Sequence, residues 1–240
     1  DAREAESLRV SFEVSRPNVV INCIGLVKQR MARPDRRIAI ELNALLPHIL
    51  SDIAQRFAAR LVHISTDCVF DGRRGHYSES DTPNALDIYG NTKALGEVTR
   101  DHCTTLRTSI IGHELGSTQG LVEWFLAQND SVPGYAQAFF SGFPTVELAR
   151  ILCDHIIPRE DLPSLIHVAS NRISKYQLLK LVRDTYDFKI EINRTDEVVI
   201  DRSLDSRLFE EITGYRPPDW GALVRAMHED WKETYDRPAR

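Results

Sequence analysis

The chain has 240 residues, with 30 lysines and arginines against 35 aspartates and glutamates, so its formal net charge is −5. Hydrophobic residues make up 42% and charged residues 27% of the sequence, which is ordinary for a globular protein and argues against a strongly basic nucleic-acid binder. Because no apolar run approaches the roughly 18–20 residues of a membrane span and no signal-like segment opens the chain, we expect a soluble cytoplasmic protein with no nucleic-acid and no membrane partner.

Predicted helices and strands alternate in the first half of the sequence. The predicted elements are helices 4–15, 36–58 and 88–101 and strands 18–24, 60–65 and 104–111. Pro34 and Asp35 are typical of a helix start, and the residues after them repeat apolar side chains at three- and four-residue steps. Strands that alternate with helices predict right-handed crossovers and a parallel, doubly wound α/β sheet.

Beyond Gly112 the alternation is less regular. The predicted elements are helices 120–128, 145–157, 174–186, 204–213 and 220–235 and strands 138–140, 165–168 and 189–192. Thr145 is predicted to cap the amino terminus of its helix. We therefore expect a sheet domain over residues 1–112 and a smaller α+β lobe over residues 113–240.

The cysteines and the acidic residues give no sign of a metal. The four cysteines are Cys23, Cys68, Cys103 and Cys153, and none forms a C-x-x-C pair. Buried free thiols are the predicted state, rather than disulfides or zinc ligands. The acidic residues lack the spacing of a metal-binding loop, so no metal is predicted.

One constellation is typical of proton transfer. Thr66 follows a predicted parallel strand, and Tyr89 and Lys93 open the next helix. A residue at the carboxyl end of such a strand faces the ligand cleft, and two residues four apart share one helix face. A lysine ammonium beside a phenol is expected to lower the phenol pKa, which would make Tyr89 a proton donor to a carbonyl group.

The spacing Tyr-x-x-x-Lys also occurs at Tyr176 and Lys180. There the residue 23 positions before the tyrosine is Cys153, inside a predicted amphipathic helix, whereas Thr66 stands 23 positions before Tyr89. We interpret Tyr176 and Lys180 as ordinary helix residues. The strand-end threonine is what separates the two pairs.

Longer motifs surround these residues and resemble a known family. They are Ser65-Thr-Asp-Cys-Val-Phe-Asp-Gly72, Tyr77-Ser-Glu-Ser-Asp-Thr-Pro83, Tyr89-Gly-Asn-Thr-Lys-Ala-Leu-Gly-Glu97, Pro17-Asn-Val-Val-Ile-Asn22, Asn43-Ala44 and Leu106-Arg-Thr-Ser109. Together they resemble the dTDP-4-dehydrorhamnose reductase family of extended short-chain dehydrogenases/reductases. The resemblance implies a Rossmann-like domain over residues 1–112 that binds NADPH or NADH, and a sugar-nucleotide-binding lobe over residues 113–240.

The resemblance also implies roles for individual residues. Thr66 would hydrogen-bond the substrate carbonyl, Tyr89 would deliver the proton, and Lys93 would hold the nicotinamide ribose. Residues with an implied role toward the cofactor are Asp1, Ile24, Gly25, Leu26, Asn43, Lys93, Thr108 and Ser109. Residues expected to bind substrate are Thr66, Cys68, Phe70 and Arg202, the last as a bidentate partner of a nucleotide diphosphate.

The sequence departs from the family at several places. Cys68 stands where the family usually has an aromatic residue, and Ile24-Gly25-Leu26 replaces its small-small-aromatic loop. No glycine occurs before Gly25, whereas a dinucleotide-binding domain opens with a Gly-rich turn. We therefore expect a fragment, or else a shortened, partner-dependent protein, and weak or absent cofactor binding by these 240 residues alone.

Three functions agree with the motifs. The leading prediction is NAD(P)H-dependent reduction of the 4-keto group of a nucleotide-activated deoxysugar in cell-surface polysaccharide synthesis. The alternatives are a sugar-nucleotide epimerase or dehydratase with the same triad, and a noncatalytic subunit resembling the regulatory β subunit of methionine adenosyltransferase. The choice between NAD and NADP stays open, as does the oligomeric state, for which a homodimer is one option.

Overall fold

A computed structural model describes residues 1–27, 36–115 and 118–235. The strands, in chain order, are β1 (Val19–Asn22), β2 (Arg60–Ile64), β3 (Cys103–Arg107), β4 (Ile110–Ile111), β5 (Ser131–Tyr135), β6 (Ala138–Phe140), β7 (Phe143–Pro144), β8 (Leu165–His167), β9 (Ile173–Ser174), β10 (Glu191–Thr195) and β11 (Ile200–Asp201). The α-helices are α1 (Ala5–Ser15), α2 (Arg36–Ala39), α3 (Leu46–Arg56), α4 (Ile88–Leu95), α5 (Leu121–Leu126), α6 (Thr145–Ile151), α7 (Lys175–Thr185), α8 (Arg207–Thr213) and α9 (Trp220–Tyr235). The chain also forms π-helical segments at Ile40–Leu45 and Leu152–Ile156 and a 3-10 turn at Asp67–Val69.

The chain forms two compact units that alternate along the sequence. The first unit comprises Asp1–Asp71, Ser78–Thr108 and Arg159–Val168. The second comprises Gly72–Tyr77, Ser109–Pro158 and Ala169–Arg240. The predicted assignment of cofactor binding to residues 1–112 and of substrate binding to residues 113–240 stays a prediction.

The first unit contains a four-stranded sheet in the order β1-β2-β3-β8. All three strand pairs are parallel, with Val20 opposite Leu61 and Leu61 opposite Cys103. Parallel neighbours that are distant in sequence require crossover connections, which here contain helices. The predicted α/β fold with a parallel, Rossmann-like sheet is confirmed.

Apolar residues of α1 and α3 form the core beside this sheet. Its buried members are Phe12, Leu46, Leu50, Ile53, Ala54, Ala59, Leu61, Val98 and Cys103. Phe12 is the buried residue of α1, and its ring centroid lies 5.6 Å from that of Phe57. Burying a phenylalanine contributes roughly 1.5–3 kcal/mol, so this side chain is the main anchor of α1.

The second unit is built from small sheets and short helices. Its sheets are the pair β5–β10, the three strands β11-β6-β9 and the pair β4–β7. All the pairs are parallel except β6 with β9. Fully buried aromatic rings, among them Phe125, Phe143 and Phe209, fill the interior. The second unit thus combines small, mostly parallel sheets with helices, and the predicted α+β lobe over residues 113–240 stays a prediction.

Most predicted elements are confirmed within a few residues, and the differences have local causes. The predicted helix 88–101 stops at Leu95, and the predicted strand 104–111 is divided into β3 and β4. The strand β5 was not predicted because Pro133 and Gly134 are both typical strand breakers. Pro34 and Asp35, the predicted start of a helix, lie outside the described residues.

Thr145 does not cap its helix, which corrects the prediction. The capping position is Pro144, and no side-chain cap is formed there. The Thr145 hydroxyl instead donates to the Ile111 carbonyl at 3.1 Å, so it joins α6 to β4. The Thr145 side chain thus makes a tertiary hydrogen bond, which the local sequence pattern does not predict.

The cysteines are free, as predicted, but only one of them is buried. Cys103 is buried, Cys68 is partly buried, and Cys23 and Cys153 are exposed. The prediction of a buried thiol is therefore wrong for Cys23, which lies just beyond β1, and for Cys153, which lies in a π-helical segment.

Candidate active site

Three neighbouring strands of the first unit end beside one another. Cys23 follows β1, Ser65 and Thr66 follow β2, and Thr108 follows β3. Because the strands are parallel, these residues share the carboxyl edge of the sheet, where ligands bind in open α/β folds. Thr66 and Thr108, two of the predicted site residues, therefore lie at the edge where ligands are expected.

Thr66 is held by the turn that it begins. Its hydroxyl accepts a hydrogen bond from the Cys68 N–H at 3.1 Å and donates to Asp67 Oδ1 at 3.2 Å. The Thr66 hydroxyl is also close enough to Tyr89 to lower the pKa of its phenol. The structure thus brings together the two hydroxyl groups that the sequence places 23 residues apart.

Tyr89 lies in the first turn of α4, which approaches the Thr66 turn very closely. The helix begins at Asp87, whose side chain accepts from the Gly90 N–H at 2.8 Å. A Cβ on Gly90 would lie 2.2 Å from the Cys68 carbonyl oxygen and 2.4 Å from the Ala85 Cβ. Only glycine permits this approach, which holds the Tyr89 hydroxyl near Thr66.

Substitution of Gly90 is therefore expected to displace the tyrosine. In Gly90→Ala the new methyl group meets backbone, so α4 must shift, and we expect kcat to fall by about tenfold or more and stability by about 1–3 kcal/mol. The matched control is Gly221→Ala in α9, where the methyl meets only the side-chain ends of Asp219 and Arg225. Steady-state kinetics and thermal unfolding of both variants test this, and an unchanged kcat in Gly90→Ala would contradict it.

Lys93 is buried beside the same strand end. Its side chain is 5% exposed, and Nζ donates to the Ile64 carbonyl at 2.7 Å. Burial lowers the pKa of Lys93 to about 8, and the Glu97 carboxylate opposes that fall. Near neutral pH the ammonium is therefore still largely charged, although it is easily deprotonated.

The pKa of Tyr89 differs from the prediction. Burial raises it above the usual phenol value, the nearby Cys68 thiol raises it further, and the Thr66 hydroxyl lowers it. The predicted lowering by Lys93 is not observed here, because burial dominates and the ammonium donates to a backbone carbonyl. Tyr89 therefore holds its proton over the physiological pH range.

The buried Lys93 predicts a pH-dependent stability. Its pKa is about 8 in the folded chain against an ordinary 10.5, so between these values the unfolded chain binds a proton that the folded chain releases. The unfolding free energy of the wild type, relative to Lys93→Met, should rise by up to about 3 kcal/mol from pH 7 to pH 10.5. Urea titrations of both proteins across this range measure the difference, and a flat or falling difference would contradict the prediction.

The loop after β1 is clamped by two buried amides. Asn43, in the π-helical segment, accepts from the Leu26 N–H at 2.7 Å and donates to the Leu26 carbonyl at 3.1 Å and to Thr92 Oγ1 at 3.3 Å. Asn22 Oδ1 accepts from the Ile24 N–H at 3.0 Å, while Nδ2 contacts His63 Nδ1 at 3.0 Å. The loop is thereby fixed beside α4.

These features fit the ribose and nicotinamide end of a dinucleotide. Ile24 and Gly25 are exposed, and a Cβ on Gly25 would lie 4.0 Å from Lys93 Nζ, so this exposed loop lies next to the buried ammonium. Thr108 Oγ1 is buried and, with His63 Nε2, is a side-chain polar atom for which the described residues provide no hydrogen-bond partner. A ligand amide is one group that would satisfy such a hydroxyl.

The other predicted cofactor residues are placed elsewhere. Asp1 is exposed at the start of the chain and forms an ion pair with Arg3 at 2.6 Å. Ser109 belongs to the second unit, where its carbonyl accepts from the Phe143 N–H at 2.8 Å. Contact of Asp1 or Ser109 with a cofactor stays a prediction.

The predicted substrate residues are also dispersed. Cys68 is partly buried close to Tyr89, whereas Phe70 is fully buried with the Arg107 guanidinium 5.1 Å from its ring centroid. Arg202 is partly buried in the second unit, where a Cβ on Gly72 would lie 3.0 Å from its Cγ. Phe70 therefore has a packing role in this structure, and substrate contact by these three residues stays a prediction.

The second tyrosine and lysine pair behaves as predicted for ordinary helix residues. The Lys180 side chain is exposed, with Nζ 5.6 Å from the Tyr176 ring centroid. The Tyr176 ring packs against the site of Gly134, where a Cβ would lie 2.5 Å from it. This pair offers a control for experiments on Tyr89.

Several residues near the site have structural roles that the sequence did not predict. Asn22 and His63 support the loop after β1, and Glu97 and Arg107 form a buried ion pair at 2.8 Å. Asn22, Glu97 and Arg107 are part of the family motifs, whereas His63 lies outside them. Among the described residues no cluster of three or more His, Cys, Asp or Glu side chains suits a metal ion, and no helix there combines the length and apolar character of a membrane span.

The family comparison covers nearly the whole chain, and curated relatives match parts of it. A family described as RmlD substrate binding domain matches residues 1–231. The chain is 25% identical over 203 residues to methionine adenosyltransferase 2 subunit beta of Danio rerio, covering 77% of this chain and 60% of that protein. It is 32% identical over 124 residues to dTDP-4-dehydrorhamnose reductase of Aggregatibacter actinomycetemcomitans, covering 50% of this chain and 42% of that protein. The chain thus spans less than two thirds of either relative.

The fold is shared with solved structures. One is a dTDP-4-dehydrorhamnose reductase from Bacillus anthracis in complex with NADP, with a TM-score of 0.84 and 20% sequence identity. The match covers 96% of this chain and 85% of that chain. At this identity the likeness shows the fold alone.

Proposed function

Because the chain belongs to the RmlD substrate binding domain family, as its motifs predicted, we propose that it reduces the 4-keto group of a nucleotide-activated deoxysugar with NADPH or NADH. The observation that carries the proposal is the arrangement of three side chains: the Thr66 hydroxyl acts on the pKa of Tyr89, and Lys93, one helical turn after Tyr89, donates its buried ammonium to the Ile64 carbonyl at the end of β2. The named reductase among the relatives supports the substrate class. The product is a deoxyhexose nucleotide of the kind used in cell-surface polysaccharide synthesis.

The three side chains have complementary tasks in such a reduction. Thr66 and Tyr89 present two hydroxyl groups that hydrogen-bond the carbonyl oxygen of the sugar and become stronger partners as negative charge develops there. Tyr89 holds its proton, since burial raises its pKa, and gives the proton to the oxygen once it becomes an alkoxide. When bound, the reduced nicotinamide supplies the hydride to the sugar carbon.

Lys93 supplies a positive charge at the end of β2, in the same site. Its ammonium lies beside Gly25 and donates to the Ile64 carbonyl, with donor hydrogens left for ribose hydroxyl groups. A fixed positive charge in a buried setting stabilises the phenolate that remains after proton transfer. Lys93 therefore acts after the proton leaves Tyr89, even though it does not lower the pKa of Tyr89 in this structure.

The proposal is tested by turnover. Purified protein is mixed with NADPH and a dTDP-4-keto-6-deoxyhexose, and we expect loss of NADPH absorbance together with a product reduced at C4, identified by NMR. An altered sugar without net cofactor consumption would instead indicate an epimerase or a dehydratase. If NADPH binds and 4-keto sugars with different nucleotides all remain unchanged, the reductase proposal is wrong.

A noncatalytic subunit is the second candidate, favoured by one specific comparison. The Danio rerio relative, named as a subunit of a methionine adenosyltransferase, aligns over 77% of this chain, more than the reductase of A. actinomycetemcomitans does. This candidate predicts association with a catalytic subunit and cofactor binding without turnover. Size-exclusion chromatography with such a subunit, run beside the turnover assay, separates the two functions.

A further inference from the structure

Two residues from separate motifs meet in the interior of the first unit. Glu97 follows α4, and Arg107 is the last residue of β3. Arg107 Nε donates to Glu97 Oε1 and Nη2 donates to Oε2, both at 2.8 Å, which is a bidentate geometry. The two side chains are 8% and 2% exposed, so water screens the pair very little.

The ion pair is part of a larger, satisfied network. Ser65 donates its hydroxyl to Glu97 Oε1 at 2.8 Å. Arg107 also contacts His167 Nε2 at 3.3 Å, and its guanidinium lies 5.1 Å from the Phe70 ring centroid. A buried carboxylate with this many donors has one well-defined position, because any shift would leave a charge without a partner.

Each anchor of the network adjoins a group of the candidate active site. Ser65 precedes Thr66, Arg107 precedes Thr108, and Glu97 lies four residues after Lys93. Building on the proposed function, we propose that Glu97 is a positioning residue. Its carboxylate accepts hydrogen bonds from Ser65 and Arg107 and so holds the end of α4 against β2 and β3. This contact fixes the positions of Lys93 and Tyr89 relative to Thr66.

The same carboxylate also acts on the charge of Lys93. The titratable groups around the ammonium are Cys23 beyond β1, His63 on β2 and Glu97. Burial and the neighbouring ammonium lower the pKa of His63 well below its ordinary value, so that imidazole is neutral. Glu97 is therefore the negative charge that offsets the burial of Lys93 at neutral pH.

The direct test is the pKa of Lys93, read without turnover. NMR of isotope-labelled lysine measures the titration of Lys93 in the wild type and in Glu97→Gln. The control variant is Glu210→Gln, which removes an exposed ion-pair partner of Arg216 in the second unit. We expect the Lys93 pKa to fall in Glu97→Gln and to stay unchanged in Glu210→Gln. A role in stability alone would leave the Lys93 titration where it is, and that result would overturn the proposal.

Kinetics and a second variant complete the test. In an active enzyme, the alkaline fall of kcat should move to lower pH in Glu97→Gln, while the profile of Glu210→Gln stays in place. If Glu97→Gln does not fold, the variant Ser65→Ala tests the proposal instead. It removes the hydrogen bond from Ser65 to Glu97 and keeps the ion pair of Glu97 with Arg107. We expect roughly a tenfold fall in kcat for that variant, and unchanged kcat would overturn the proposal. Because the Lys93 titration requires no substrate, it still tests Glu97 if the reductase proposal fails.

Discussion

Replacing Tyr89 by phenylalanine is expected to lower kcat for the reduction of a 4-keto sugar nucleotide by about 10²–10⁴-fold, the usual contribution of a general acid. The variant keeps the ring and loses the hydroxyl that lies near Thr66. Since the phenol is the proton donor in the proposed mechanism, the loss should appear in kcat. The KM for the sugar nucleotide should change much less.

The chain contains its own matched control for this experiment. Tyr176→Phe makes the same chemical change within a second Tyr-x-x-x-Lys spacing, whose lysine is exposed. We expect kcat of that variant to stay within about twofold of the wild type, because no hydroxyl from a strand end is part of that pair. Equal losses in the two variants, or normal turnover by Tyr89→Phe, would exclude Tyr89 as the proton donor.

Replacing Arg107 by methionine is expected to lower the free energy of unfolding by about 3–5 kcal/mol. The substitution leaves the Glu97 carboxylate buried at the carboxyl edge of the sheet without its cation, and the cost of that unpaired charge dominates. Urea denaturation, monitored by circular dichroism, measures the loss.

An exposed ion pair and a double variant serve as controls. Arg216→Met removes an arginine that is 83% exposed and paired with Glu210, so a loss of only about 0–1 kcal/mol is expected. The double variant Glu97→Met/Arg107→Met should recover much of the stability lost by Arg107→Met, since no unpaired charge remains. Equal losses from Arg107→Met and Arg216→Met would show that burial does not govern this pair.

Local patterns predict the parts of the fold that depend on local chemistry. Short β-branched runs predict β1 and β2, and apolar repeats predict α7 and α9, because burial of one face imposes those periods. The order of the elements then predicts that Thr66, after β2, and Tyr89, at the start of α4, lie near each other, as they do in the structure. Their role in proton transfer stays a prediction.

Tertiary contacts explain what the patterns did not predict. The helix containing Lys93 ends early at Leu95. A Cβ on the next residue, Gly96, would lie 1.9 Å from the Asn43 carbonyl oxygen, which is a contact between segments far apart in sequence. Likewise, the ion pair of Glu97 with Arg107 forms only when α4 and β3 come together. Cys23 is exposed because it follows the last residue of β1. The apolar residues around it do not indicate where that strand ends.

The π-helical segment Ile40–Leu45 makes this region sensitive to the exact number of residues in the chain. A π turn contains one residue more than an α turn, and such turns are frequent at functional sites. Deleting Glu41 would remove the extra residue and let the segment continue as an α-helix, with the flanking helices keeping the faces that they present. The widened turn that contains Asn43 would be lost, so the Asn43 hydrogen bonds to Leu26 and Thr92 should weaken although no atom of those residues has been changed.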